Sequence, residues 1–453
     1  MVAPLTRQYA AFLAATNEKT LPPGIAEIVR LGFTDCAAVI LSGLKEPVVH
    51  TIKNYVLAEG AAPKSRYLFG TARTSAGGAA MINATAAHSL DFDDYAFSNH
   101  PSAVLVPTVL AAGEAVGASG ARLVAGYAAG YEVWGDLMLR EPDHLHAKGW
   151  HPTAVFGPVA AAAAACVVMG LNEHQALHAL AMAASLAGGV MENFGTMAKP
   201  LHGGRAAQAG INAATMALAG IEASPTAIEG ELGLMRALSP TGKVDLETPG
   251  TLGRDWRLLK YRLNIKKYPT VGASQRMIES LLALKKTHAI DPAKIALIEP
   301  RLSVRHYAVM PFHNADTGLR GKFSMQFIAS CALLHGKVGL MQLKDEVVQS
   351  PAIRELMAKV KVFTTTETDP GYPGAAPFDF CRITMADGTV LESPPVARAT
   401  GHADIPLPVE DIWNKFCDCA AYAGVAPDRA KALFDQMQKI DTVANANDVL
   451  AFA

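Results

Sequence analysis

Apolar residues recur at three- and four-residue spacing through the first half of the chain, at 10–15, 25–41, 77–90, 104–116, 120–139, 153–169, 173–187 and 205–219. Each run predicts a helix. Pro22 and Pro23 stand just ahead of the second run, where proline is tolerated at a helix start. Between Pro152 and Ile221 the only charged side chains are Glu173, Glu192, Lys199 and Arg205. A helix that is apolar all round is buried on all sides. This stretch is therefore expected at the centre of a large helical domain, and is also a candidate dimer seam.

Beyond about residue 265 the pattern changes. The stretches 294–304, 360–366 and 378–396 are rich in β-branched residues and predict strands, with Asp387-Gly388 between two such runs reading as a hairpin turn. Helical runs at 274–286, 322–335 and 352–359 are interleaved, and 410–434 is helical again. The expected fold is mainly α: an all-helical domain of residues 1–265 with 399–453, and a smaller α+β domain of residues 266–398.

Composition narrows the function. Forty Lys+Arg against 41 Asp+Glu leave a net charge of −1, so the basic excess of a nucleic-acid binder is missing. Only 18% of residues are charged, below the ~25% usual for globular domains, which implies a large buried surface and excludes disorder. Of the six cysteines only Cys417 and Cys419 are close in sequence, with no second pair to complete a zinc site; free thiols in a reducing compartment are expected. The start of the chain lacks a basic segment followed by a long apolar one. Residues 152–172 are uncharged and long enough to span a bilayer, but they are mostly alanine and interrupted by Gly157 and Pro158. A buried helix in a cytoplasmic protein with no membrane partner is expected.

Three segments carry candidate chemistry. In His88-Ser89-Leu90-Asp91-Phe92-Asp93-Asp94, the residues His88, Asp91 and Asp94 would share a helical face, and crowding of the carboxylates would raise one pKa towards neutrality. A metal site, the proton donor of a terpene cyclase and a solvated, capped helix end are the competing readings. His151 precedes Pro152, so it is expected in extended backbone just outside an apolar helix, where an imidazole can act as a base; the plain alternative is a histidine tied to a backbone carbonyl. Lys199 and Arg205 flank His202 in the most apolar part of the chain, so Lys199 needs a carboxylate, either Glu192 or an anionic ligand. Gly203-Gly204 before a helix starting near Arg205 would offer backbone N–H groups to an anion. Lys266-Lys267-Tyr268-Pro269 and Arg305-His306-Tyr307 are weaker signals.

Taken in order, His88-Ser-Leu-Asp-Phe-Asp-Asp94 with His100-Pro-Ser102, Gly149-Trp-His-Pro-Thr153, Lys199-Pro-Leu-His202 and Lys266-Lys-Tyr-Pro269 resemble the MmgE/PrpD family over nearly the whole chain. That family includes 2-methylcitrate dehydratases, cis-aconitate decarboxylases and iminodisuccinate epimerases. The resemblance implies a homodimer, no metal or organic cofactor, and an interdomain active site. By similarity Asp91, His100, His151, Lys199, Lys266 and Tyr307 would be catalytic, and His202, Arg205 and Arg305 would bind substrate. The chain departs from the pattern three times: no histidine follows Pro269 in Thr270–Gln275, Tyr95 stands where the decarboxylase branch carries threonine, and the loop to His100 is one residue shorter. The expectation is a cofactor-independent lyase of the hydro-lyase type acting on a small di- or tricarboxylate. An epimerase, a cis-aconitate decarboxylase and an inactive carboxylate-binding dimer are the alternatives.

Overall fold

The computed structural model describes residues 3–452 except Pro373. Among the described residues, nine helices build the first half: α1 (Leu5–Ala15), α2 (Ile25–Gly43), α3 (Pro47–Ala58), α4 (Ala76–His88), α5 (Pro101–Val116), α6 (Gly120–Arg140), α7 (Pro152–Met169), α8 (Glu173–Ser185) and α9 (Ala198–Leu218). Helix α7 is enclosed by α5, α6, α8 and α9. Small residues make this possible. A Cβ added at Gly130 of α6 would lie 2.8 Å from the carbonyl oxygen of Ala160, so the backbones meet at a distance only glycine allows. Helix α7 is long and apolar enough to cross a bilayer, and its side chains are instead spent inside the protein core.

The second half carries helices Gln275–Thr287, Met325–His335 and Pro351–Ala358 against a four-stranded sheet. Strands β1 (Ser65–Arg66) and β2 (Arg73–Thr74) form a separate short ribbon in the helical half. The larger sheet comprises β3 (Ile295–Ser303), β4 (Phe363–Thr365), β5 (Phe380–Met385) and β6 (Val390–Glu392) in the order β4-β3-β5-β6. Strand β3 pairs parallel with β4 and antiparallel with β5, and β5 and β6 form the Asp387-Gly388 hairpin, where Gly388 adopts φ +86°. One hydrophobic core runs from Ala3 to Ile265, takes in Leu340 and resumes from Leu407 to Val449; a second spans Met277 to Ile383. The fold is mainly α with a small α+β part.

Four expectations change. Helix α9 begins at Ala198, not near Arg205, so Gly203 and Gly204 lie mid-helix with their N–H groups engaged in the helix. Helix α4 stops at His88, and Asp91 sits at φ +51°, which turns the Asp-rich run into a loop. His88, Asp91 and Asp94 therefore share no helical face. The 410–434 run is split by Gly424, at φ +79°, into Val409–Ala423 and Pro427–Met437. Helix α3 and the β1–β2 ribbon lie outside the predicted elements: strands of two residues are too short to give a signal, whereas Val48, Val49, Ile52 and Val56 do carry the helical spacing of α3.

Candidate active site

The end of α4, the Asp-rich loop and the start of α9 converge on one buried ionic cluster. The left-handed backbone at Asp91 turns its carboxylate back towards two lysines that are far away in sequence. Lys199, in the first turn of α9, donates to Asp91 Oδ1 at 2.6 Å, and Lys266 lies 3.2 Å from Oδ2. Lys266 also donates to the Asp91 backbone carbonyl at 2.8 Å. Lys199 thus has its carboxylate partner, and it is Asp91 rather than Glu192. Burial alone would raise the pKa of Asp91, but Lys199 and Lys266 outweigh it and hold the group ionised far below the usual carboxylate range.

Three histidines sit beside this triad. His88 Nδ1 lies 3.0 Å from Asp93 Oδ2, and His88 Nε2 accepts from Lys199 Nζ at 3.0 Å, which fixes the neutral tautomer. Burial and the Lys199 charge lower its pKa to about 3. His100, which caps α5, places Nδ1 2.8 Å from the same Asp93 oxygen, and its ring centroid is 4.4 Å from that of His88. His151 caps α7 in extended backbone, as its proline neighbour requires, and stacks at 5.8 Å on His88. Its Nδ1 is 3.0 Å from Nδ1 of His202, so its ring is tied to another imidazole rather than to a carbonyl. Burial, then Lys199, drives the pKa of His151 well below that of a free histidine. These histidines are neutral near pH 7.

The Asp-rich loop has a second face. Asp94 turns away from the lysines, accepts from the Ser102 backbone N–H at 3.1 Å and bonds the Ser102 hydroxyl, which in turn meets Tyr127 at 2.8 Å. Burial, then repulsion from Asp35, raises its pKa to about 8. The expected elevated carboxylate is therefore present, but it belongs to Asp94 and faces a hydroxyl pair.

The expected site residues divide into two groups. Asp91, His100, His151, Lys199, Lys266 and His202 come together. Arg205 is exposed and, with His202, lines a groove of about 450 Å³ that reaches solvent. Arg305 is exposed beside Gly374, and Tyr307 stacks on His313 at 5.1 Å and accepts from Gln326 at 3.2 Å. Neither hydrogen-bonds to the cluster.

Sequence reasoning passed over three participants. Asp93 orients two histidines. Lys322 is buried with its ammonium on the Ser89 carbonyl at 3.1 Å, and only a lone lysine ahead of an apolar helix hinted at it. Lys415, from helix Val409–Ala423, pairs with Asp35 at 2.6 Å and donates to the carbonyls of Phe92 at 2.7 Å and Lys266 at 3.0 Å. It clamps the loop and the second lysine together, yet in sequence it is one charge among many on an amphipathic helix.

Donor atoms of His88, Asp91, Asp93 and His100, and separately of His88, His100 and His151, lie within 4.8 Å of one another. A divalent cation fits the cluster poorly, because both nitrogens of His88 are engaged and two ammonium groups already neutralise Asp91. Two of the departures from the family pattern meet. A Cβ on Gly272 would lie 3.3 Å from the Tyr95 ring, so Tyr95 occupies the space beside the segment that carries no histidine.

Comparison with known proteins agrees over almost the full length. The MmgE/PrpD N-terminal domain matches residues 7–247, and the MmgE/PrpD C-terminal domain matches residues 268–439. The cis-aconitate decarboxylase of Mus musculus is 28% identical over 99% of this chain and 93% of its own. That of Homo sapiens is 30% identical over 75% of this chain and 71% of its own. A cis-aconitate decarboxylase of Aspergillus terreus is 24% identical over 82% and 80%.

Proposed function

The chain belongs to the MmgE/PrpD family, and from that premise we propose that it is a lyase acting on a small di- or tricarboxylate through a carbanion formed next to a carboxylate. One observation carries the reading: two buried ammonium groups, Lys199 and Lys266, converge beside three neutral histidines. Removing a proton from such a carbon places negative charge on the carboxylate oxygens, and preorganised cations stabilise that charge in a dry site. Lys199 and Lys266, with Lys322, supply the cations. His151 is the proposed base, because it is neutral and buried beside His202, which lines the groove. An arriving polyanion raises its basicity by adding negative charge nearby. His100, held by Asp93 at 2.8 Å, is proposed to take up a proton once the polyanion is bound and to pass it to the leaving hydroxyl. Asp91 holds the two lysines in register. Arg205 and Arg305 are proposed to meet outer carboxylates, and Tyr307 to bind rather than to transfer protons.

Loss of water is the first reaction to test. Decarboxylation of cis-aconitate is the second reading, favoured by the names of relatives that span the chain; it uses the same cations but leaves the carbanion by loss of CO₂. The expected homodimer is part of the proposal, supported by the exposed Leu186, Val190 and Met197 around the groove, and sedimentation measures it. The deciding experiment incubates the protein with citrate, methylcitrate, cis-aconitate and iminodisuccinate in D₂O without added metal, followed by NMR. Dehydration of a hydroxy acid is the expected result. Release of CO₂ selects the second reading, inversion alone selects an epimerase, and saturable binding without turnover makes the protein an inactive binder.

A further inference from the structure

A second group of metal-ligating side chains lies outside the ionic cluster, where α8 meets the segment that follows α9. His174 and His178 are four residues apart on α8 and so face the same way. Their rings are 4.4 Å apart and perpendicular, and the two Nε2 atoms are 3.1 Å from each other. Glu222, just past the end of α9, brings a carboxylate oxygen within 4.8 Å of both. His178 is buried, whereas His174 and Glu222 are exposed and free to adjust.

The surroundings of His178 suit it to two states. Its Nδ1 lies 2.9 Å from the Ala223 backbone N–H and 3.1 Å from the Ala223 carbonyl oxygen. When Nδ1 accepts from the N–H, the ring proton is on Nε2 and points at His174. When Nδ1 donates to the carbonyl, Nε2 presents a lone pair, as a metal ligand must, and the ring is held by a backbone acceptor of the kind that orients ligating histidines. The dipeptide Glu222-Ala223 therefore supplies both a carboxylate and the groups that set the tautomer. Tetrahedral zinc with bonds of 2.0–2.1 Å would hold two nitrogens about 3.3 Å apart, close to the spacing already present.

We propose that His174, His178 and Glu222 form a site for a divalent cation of the zinc class, with one coordination position left to water. Two neutral imidazoles and one carboxylate are a donor set that zinc accepts, whereas magnesium and calcium ask for oxygen ligands. The cation joins the first turn of α8 to the chain leaving α9, the helix that carries Lys199 and His202. It stabilises the folded state by mass action.

The test is titration calorimetry with Zn²⁺ on the chelator-stripped full chain, together with the visible spectrum of the Co²⁺-loaded protein. Wild type is expected to take up one saturable equivalent that His151→Gln keeps. His174→Ala should weaken this equivalent by more than about a hundredfold, beyond the 10- to 100-fold cost of losing a supporting partner. Glu222→Gln, which keeps the shape, should weaken it less and alter the Co²⁺ bands. The site is overturned if wild type binds no saturable equivalent, or if His174→Ala binds as tightly as wild type. Loss of the equivalent in His151→Gln alone would move the metal to the central histidines and equally refute the proposal.

Discussion

Asp93 and Asp94 are adjacent and both fully buried, yet the protein holds them in opposite states. Burial would raise the pKa of Asp93, but His100 and His88 outweigh it and keep the group ionised well below the usual range. Asp94, one residue on, has two hydroxyls and the carboxylate of Asp35 for company, and its pKa rises to about 8. One face of the loop is a set of fixed charges able to act on an anion, and the other is a neutral hydrogen-bonded seam. Residue type did not decide this. What decides it is which neighbours the loop backbone, turned at Asp91, brings to each carboxylate.

Substitutions on the two faces should separate chemistry from stability. The largest effect is expected at His151. His151→Gln keeps hydrogen bonding but cannot titrate, and should slow the wash-in of solvent deuterium at the substrate carbon by about 10²–10⁴-fold. Equal incorporation by both proteins would take the base role away from His151. Next is Lys199→Met, which should lower kcat/KM by at least ~10²-fold, as for loss of one charge-stabilising donor. Asp91 retains Lys266, so the protein should still fold. Unchanged activity per folded molecule would make the Lys199–Asp91 pair purely structural.

The other face should answer in stability. A folded-state pKa raised from 3.8 to about 8 means that the native protein keeps a proton which the unfolded chain gives up. Asp94 therefore costs stability progressively as pH rises between those values, by up to about 1.4 kcal/mol per pH unit. Asp94→Asn cannot titrate, so urea unfolding at about pH 5 and 7 should show a slope shallower by one proton. An unchanged slope would mean that Asp94 is ionised in the native state and would dissolve the contrast with Asp93. The smallest effect is expected from EDTA, which should leave turnover intact because ammonium groups stabilise the anion. Loss of turnover that Zn²⁺ or Mg²⁺ restores in wild type and in His174→Ala alike would replace them with a metal.

Much of this was legible in the chain. The near-absence of charge around Lys199 marks it as a buried cation, and the proline after His151 places that histidine in extended backbone at a helix entrance. The shape of the Asp-rich run was not legible. A spacing of i, i+3, i+6 suggests one helical face, but a single left-handed residue at Asp91 breaks it, and nothing local in the sequence announces that torsion. Lys322 and Lys415 were hard to read for another reason: their partners, backbone carbonyls and for Lys415 also Asp35, lie across long sequence separations, and no periodicity encodes such contacts. Arg305 and Tyr307 stand apart from the ionic cluster, beside Gly374 and His313, and a motif read along the chain does not say how far from the centre its side chains lie.

Lys415 grips the carbonyl of Phe92 across 323 residues of chain. During synthesis the helices that carry His88, His151 and Lys199 emerge and can begin to fold long before this lysine exists, because folding proceeds from the N-terminal side as the chain appears. Until then the Asp-rich loop has only its earlier partners, Lys199, Lys266 and Lys322, to hold it. The centre can reach its final form only when the helix Val409–Ala423 docks, which makes assembly of the site one of the last events in the life of the nascent chain rather than one of the first.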